Sequence, residues 1–293
     1  MQTKIIKFDY YTVKRVDLQG ESAVPKDVDL TGVLNSIYVK DFADKVKQIG
    51  NSGVVLLQCQ VDKSRMVVLQ FAKIRDAILP SIINDLGKCH ELILKKQENI
   101  AEFTSVLYDV QHGIFMIQKS QDGASLGQIW AYLDAFMGSE KLLFSAIISP
   151  EKLSRFVGGT VVKKLEVTVA SSTEFEDPSM HNLAAVAKNT GTKFITLGLS
   201  MGRAKKSEGL KLSRVLDIAK LFMPKPETKK IKIAARIPGR DVTEVFNLLE
   251  DRIHSEKKFT YDRYNRITSE RIQEEMKVIY AEKCAEVLEC IKG

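Results

Sequence analysis

Twelve lysines and arginines lie between Met201 and Arg240, against three acids, Glu208, Asp217 and Glu227. This window carries +9 while the whole chain carries +7, so everything outside it is slightly acidic in sum. A cationic stretch concentrated on an otherwise balanced chain is what neutralising a polyanion requires. Its sharpest part runs from 229 to 237, where Ile231, Ile233, Ala235 and Ile237 alternate with Lys230, Lys232 and Arg236. In a strand, that period sends the isoleucines to a core and holds the cations on one outward face, suited to following a phosphate backbone. The residues expected to touch DNA are Arg203, Lys205, Lys206, Lys211, Arg214, Lys229, Lys230, Lys232, Arg236 and Arg240. Phe222 is the one aromatic residue of the window. That disfavours a platform for stacking single strands and favours backbone contacts on a duplex. No helix presents Asn, Gln and Arg at base-reading positions, so binding is expected to depend little on sequence.

Other chemistry finds less support. Gly123-Ala124-Ser125-Leu126-Gly127 matches the Gly-x-Ser-x-Gly nucleophile elbow, which needs its serine on a sharp turn directly off a buried parallel strand. Here Lys119-Ser120-Gln121-Asp122 separates Ser125 from the preceding strand, and Ser125 with Gln128 instead fits a capping box for the following helix. His90, His112, His181 and His254 are distant from one another in sequence and stand at no metal-ligand spacing. Glu166, two residues from Lys164, is the nearest approach to a nuclease set. Cys59, Cys89, Cys284 and Cys290 form no Cys-x-x-Cys pair and support neither a disulfide framework nor a zinc site. No catalytic residue, metal, cofactor or small-molecule substrate is therefore expected.

The elements that must position the basic residues read as α+β: two domains built on mostly antiparallel sheets with flanking helices and a long C-terminal helix. The first, residues 1–155, starts with a strand over 5–16 and a helix from Thr31 to a stop at Gly50. Two hairpins follow: 53–61 with 65–73 about Asp62-Lys63-Ser64, and 103–110 with 114–118 about Gln111-His112-Gly113. A helix over 126–137 and a strand over 142–148 complete it. The second, residues 156–293, has a strand over 160–170 whose Val161, Lys163, Leu165, Val167 and Val169 should share one face. Then come a helix over 179–188, a strand over 194–199, the basic loop 201–209, a helix over 210–222 and the strand 229–237. Val242, Val245, Phe246, Leu249 and Ile253 recur at helical spacing, predicting a helix over 241–254. The last helix covers 269–291, with Ile272, Met276, Ile279, Val287 and Ile291 in one stripe, widened by Tyr280 and Cys284. A stripe of that width is expected to serve a homodimer.

Composition bounds the rest. Hydrophobic residues make up 44% of the 293, enough to bury real cores. Lys4 and Lys7 interrupt the only apolar stretch at the N-terminus, and the uncharged run 142–149 is far short of a bilayer span. A soluble, cytoplasmic protein is expected.

Glu270-Arg271-Ile272-Gln273-Glu274-Glu275-Met276, Tyr280-Ala281 and Val287-Leu288-Glu289-Cys290-Ile291-Lys292 together resemble the closing helix of the RexA family, the cytoplasmic half of the lambdoid phage exclusion system. The hairpin 103–118, the segment Phe156-Val157-Gly158-Gly159-Thr160-Val161-Val162-Lys163 and the basic stretch running into Asp217-Ile218-Ala219-Lys220 keep the same order along the chain. The resemblance implies a homodimeric protein that binds double-stranded DNA with little sequence preference. It further implies a role in abortive infection, signalling to a membrane channel partner, and no catalysis. Two other classes stay open: an adaptor whose basic face meets an acidic protein, and a hydrolase or nuclease with an unrecognised site.

Overall fold

The computed structural model describes residues 2–17, 25–75, 81–83, 86–96, 98–148, 156, 158–170, 189–190, 192–203, 205, 207–222, 228–239, 242–249 and 252–292. In chain order these form β1 (Gln2–Asp17), β2 (Lys26–Asp27), α1 (Thr31–Tyr38), α2 (Phe42–Lys45) and β3 (Lys47–Ile49). Next come β4 (Ser52–Val61), β5 (Met66–Arg75), β6 (Ser81–Ile83), β7 (Cys89–Glu91), β8 (Ile100–Asp109) and β9 (Ile114–Gln118). They are followed by α3 (Leu126–Asp134), β10 (Glu140–Ala146), β11 (Val161–Ala170), β12 (Phe194–Ser200) and α4 (Leu212–Phe222). The chain closes with β13 (Thr228–Arg236), β14 (Glu244–Asn247), β15 (His254–Tyr261) and α5 (Ser269–Lys292). The architecture is α+β, with every strand pairing of known register antiparallel. No helix among the described residues is long and apolar enough to cross a membrane.

Two compact units divide the chain: Met1–Phe144 with His254–Lys283, and Ser145–Ile253 with Cys284–Gly293. Sequence reading places one division near residue 155, whereas β15 pairs with β1 from Gln2↔Tyr261 to Asp9↔His254. Within the second unit, Ile148 bridges Arg252 and the Ile253 amide donates to the Ile147 carbonyl, so its entering and leaving segments lie side by side.

The first unit holds a nine-stranded sheet in the order β10-β1-β9-β8-β5-β4-β3, with β15 and β2 also on β1. Its hairpins follow from local chemistry. The Asp62 carboxylate accepts from the Ser64 and Met66 amides and the Ser64 hydroxyl, while Gly113 takes φ 63° in the β8–β9 turn. Burial is continuous from Phe8 to Tyr11, which is why Tyr10-Tyr11 breaks the alternation without breaking the strand. Tyr132 of α3 accepts from the Leu56 amide at a bulge in β4, and Tyr108 accepts from the Leu30 amide and donates to the Val28 carbonyl. Burial pushes both phenols up to about 12, so they are held as neutral hydrogen-bonding pins. Ser125 caps α3 in a capping box with Gln128. Gly123 stands against β8, where a Cβ would lie 2.4 Å from Thr104 Oγ1.

Three expectations are corrected. The helix over 31–50 is broken: α1 ends at Tyr38, α2 is one turn, and 47–49 pairs with β4 as β3, leaving Val39 and Phe42 exposed. The helix over 241–254 is instead β14 and the start of β15. Phe246 stands opposite Ile233 at the edge of the second sheet, while Val242 and Val245 are 71% and 62% exposed. The helical spacing of those residues is a coincidence that pairing with β13 overrides. Finally, the C-terminal stripe faces the chain's own core. Ile272, Met276, Ile279 and Tyr280 are buried, Tyr10 packs on Tyr280, and Gln273 donates to Gln58 of β4. Its width reflects that core, and Ile291 at its end is exposed. The helix expected over 179–188 lies outside the described residues.

Candidate nucleic-acid interface

The second unit is a four-stranded sheet in the order β12-β11-β13-β14. One face is apolar: Val162, Leu165, Val167 and Val169 of β11 and Ile231, Ile233 and Ala235 of β13 are buried. Helix α4 packs on β11 and β13 and turns Val215, Ala219 and Phe222 inward, at the i, i+4, i+7 spacing of one helical face. Among the described residues the other face is open, and its residues run in rows across the ladder. Ser200, Lys164, Ala234 and Val245 make one row; Gly198, Glu166, Lys232 and Asn247 the next; Thr196, Thr168 and Lys230 a third. A hydrogen bond of 3.0 Å between the Thr168 and Thr196 hydroxyls confirms that these side chains share the face.

Parity along β11 departs from the expected one. Val162 and Leu165 are both buried because a bulge between Val162 and Lys164 takes up the extra residue. Lys163 is therefore removed from the apolar row. Its ammonium donates to the Lys205 carbonyl at 2.8 Å and to the Glu208 carbonyl, fastening the basic loop to the sheet. Gly209 completes that attachment: a Cβ there would lie 2.7 Å from the Val162 carbonyl, which accepts from the Leu210 amide.

On the open face three lysines surround one carboxylate. Lys232 stands directly across the ladder from Glu166, Lys164 lies two residues along the same strand, and Lys230 is diagonal to it. Lys164 Nζ donates to Glu166 Oε2 at 2.8 Å and Lys230 Nζ to Oε1. These two ammonium groups, Lys164 foremost, hold the Glu166 carboxyl down at about 2. The cluster keeps a net +2, and Lys232 has no ion pair among the described residues. Glu166 is the one carboxylate on this face among the described residues.

The predicted contacts divide accordingly. Lys230, Lys232 and Arg236 fall on the open face, where Arg236, opposite Val161, is half-buried with its Nε unbonded. Arg203 and Lys205 are exposed in the loop leaving β12 at Ser200. Lys229 is exposed beside the second irregularity of the β11–β13 ladder. Lys211 and Arg214 are exposed on α4, which covers the opposite face, and Arg214 reaches Asp217 at 3.8 Å. They are not part of the lysine cluster. Lys206 and Arg240 lie outside the described residues. Sequence reasoning missed Lys164 as a contact residue, although Lys164, Glu166 and Thr168 alternate outward and could have marked it. Phe194, 50% exposed at the far end of β12, is an aromatic residue that the window's composition did not include.

Compared with known proteins, the chain matches the family of unknown function DUF6731 over residues 1–288 and belongs to it. No curated protein matches the chain.

Proposed function

We propose that the second unit binds the phosphate backbone of duplex DNA through the open face of its sheet and the loop after β12, with little regard to sequence. The observation that carries this reading is the clustering of Lys164, Lys230 and Lys232 on a sheet face left open among the described residues, with Lys230 and Lys232 drawn from the segment that supplies the chain's positive charge. Contacts of that kind position a protein on a duplex without reading bases. The wider role, a cytoplasmic sensor in phage exclusion that signals to a membrane channel partner, draws on the RexA-like sequence of the C-terminal helix. Many residues of that resemblance, among them Ile272, Met276 and Tyr280, build the fold's core, so they speak for shared architecture more than for shared signalling.

Salt dependence tests the binding reading. Lys164, Lys230, Lys232, Arg203 and Lys205, less Glu166, amount to about four net phosphate neutralisations, so log K against log salt should slope at about −4 for duplex DNA. Replacing Lys230 and Lys232 together by Ala should flatten the slope by about two units and weaken unrelated duplexes equally. Affinity that ignores salt, or an unchanged double variant, would sink the reading. Binding of an acidic protein in place of DNA would support the adaptor alternative.

A further inference from the structure

The sheet order places β12 at the end, and among the described residues no strand pairs with its outer edge. Edge strands are normally protected by charge, proline or a bulge, because their unpaired amides and carbonyls invite another strand. Phe194-Ile195-Thr196-Leu197-Gly198-Leu199-Ser200 carries no charge and no proline, and its register with β11 is unbroken. It is also under-covered for an apolar strand. Phe194 and Leu199 are 50% and 45% exposed, and Ile195 and Leu197 are only half-buried.

We propose that β12 pairs antiparallel with β12 of a second copy of this chain, about a two-fold axis through Leu197. The Met201 amide donates to the Lys163 carbonyl across the β11 ladder, which fixes the direction of the backbone groups. Residues of the same parity, Leu199, Leu197 and Ile195, therefore point their amides and carbonyls inward, and Phe194, Thr196, Gly198 and Ser200 point theirs outward. Centring on Leu197 pairs Thr196 with Gly198 and Phe194 with Ser200 of the second copy through those outward groups, engaging the whole strand. On the apolar face the same register sets Ile195 against Leu199 and Leu197 against itself. A shift by one residue would instead set each apolar side chain against the polar face.

Such a dimer closes, because each copy offers one β12 edge and the contact is isologous. It makes a continuous eight-stranded sheet with both lysine clusters on the same side. The two Lys164 residues sit three strand spacings apart across the sheet and six residues apart along it, about 24 Å in all, well beyond the physiological Debye length of about 8 Å, so their repulsion is screened. The inference rests on the edge strand and holds whether or not the basic face takes DNA.

The test is sedimentation of the full chain without DNA, under reducing conditions, at micromolar to tens of micromolar concentration. A monomer–dimer equilibrium is expected, and Gly198→Pro should weaken it by at least about tenfold. That change removes an outward amide and leaves the β11 ladder bonds in place. Leu197→Cys should give a disulfide-linked dimer on mild oxidation, mapped through position 197, since directly opposed residues of a non-hydrogen-bonded pair lie at about 4.5 Å between Cα atoms. A monomer throughout, open-ended growth, or a dimer indifferent to Gly198→Pro and without a crosslink at 197 would overturn it. DNA binding by a protein that stays monomeric would separate this failure from that of the binding reading.

Discussion

The nine-stranded sheet of the first unit and the four-stranded sheet of the second solve the same problem in opposite ways. The first buries aromatic residues against its strands: Phe115 meets Tyr108 at 4.5 Å and Phe144 at 5.1 Å, Phe71 meets Tyr132 at 5.7 Å, and Tyr10 meets Tyr280. Among its buried polar side chains, Thr104, Asp109, Ser255 and Gln273 are hydrogen-bonded from other elements, while the Ser105 hydroxyl is not. Among its described residues, the second covers one face with a single helix and leaves the other to lysines, threonines and a glycine. A sheet with both faces spent on its own core has nothing left to offer a partner, while one with an open face and an open edge has surface available for association.

The largest effect that would break this contrast belongs to the first unit. Phe115 is fully buried between Tyr108 and Phe144, and Phe115→Ala should cost about 3–5 kcal/mol of unfolding free energy by urea titration. A loss below about 1 kcal/mol would mean that the aromatic cluster is not what stabilises this sheet.

A smaller effect is expected where α5 is tied down. Asp109 is buried and accepts from the Gln111 and His112 amides, from the His112 ring at 2.7 Å and from the Tyr280 hydroxyl at 2.7 Å. Burial pushes its carboxyl up, but the hydrogen bonds of His112 and Tyr280 outweigh that and leave it below the ordinary value of 3.8. Because the folded value is the lower one, this carboxylate contributes stability that is fully present above the ordinary value and disappears as pH falls through the folded value. Tyr280→Phe should cost about 1.5–3 kcal/mol at neutral pH and move acid unfolding to higher pH. Equal stability of variant and parent from neutrality down to acid would show that the hydroxyl contributes nothing.

Sequence legibility followed range. The β4–β5 and β8–β9 hairpins and the cap of α3 were readable because Asp62, Gly113 and Ser125 act within a few residues. The region 241–254 misled because its apolar spacing fits a helix, and only the free edge of β13 makes it a strand. Strand β15 gave no signal: Ser255 and Phe259 are its only buried residues, and its partner β1 lies some 250 residues away in sequence. The stripe on α5 was readable as a buried face, but periodicity says which face is buried and not against what. At the candidate site, Lys230 and Lys232 were found by alternation. The bulge at Lys163 was not, because one extra residue in a strand has no composition of its own.

The smallest expected change in stability, and the sharpest probe of the open face, is Glu166→Gln. Glu166 is the only carboxylate among the described residues of that face and engages Lys164 and Lys230, whose side chains are 50% and 37% exposed. Ion pairs at that exposure contribute little, about 0–1 kcal/mol, so the fold should be nearly indifferent to the change. DNA affinity should not be. Removing one negative charge from among three lysines takes away repulsion worth about 1 kcal/mol, or about a fivefold gain in affinity at moderate salt. The carboxyl is held near 2, so it is ionised throughout the working range and the gain should be the same at about pH 5 and about pH 8. A phosphate pathway across this face predicts that constancy together with a steeper salt slope for the variant. If Glu166→Gln leaves DNA affinity unchanged while Lys211 and Arg214 substitutions reduce it, the duplex lies on the α4 side and the open sheet face is not the interface.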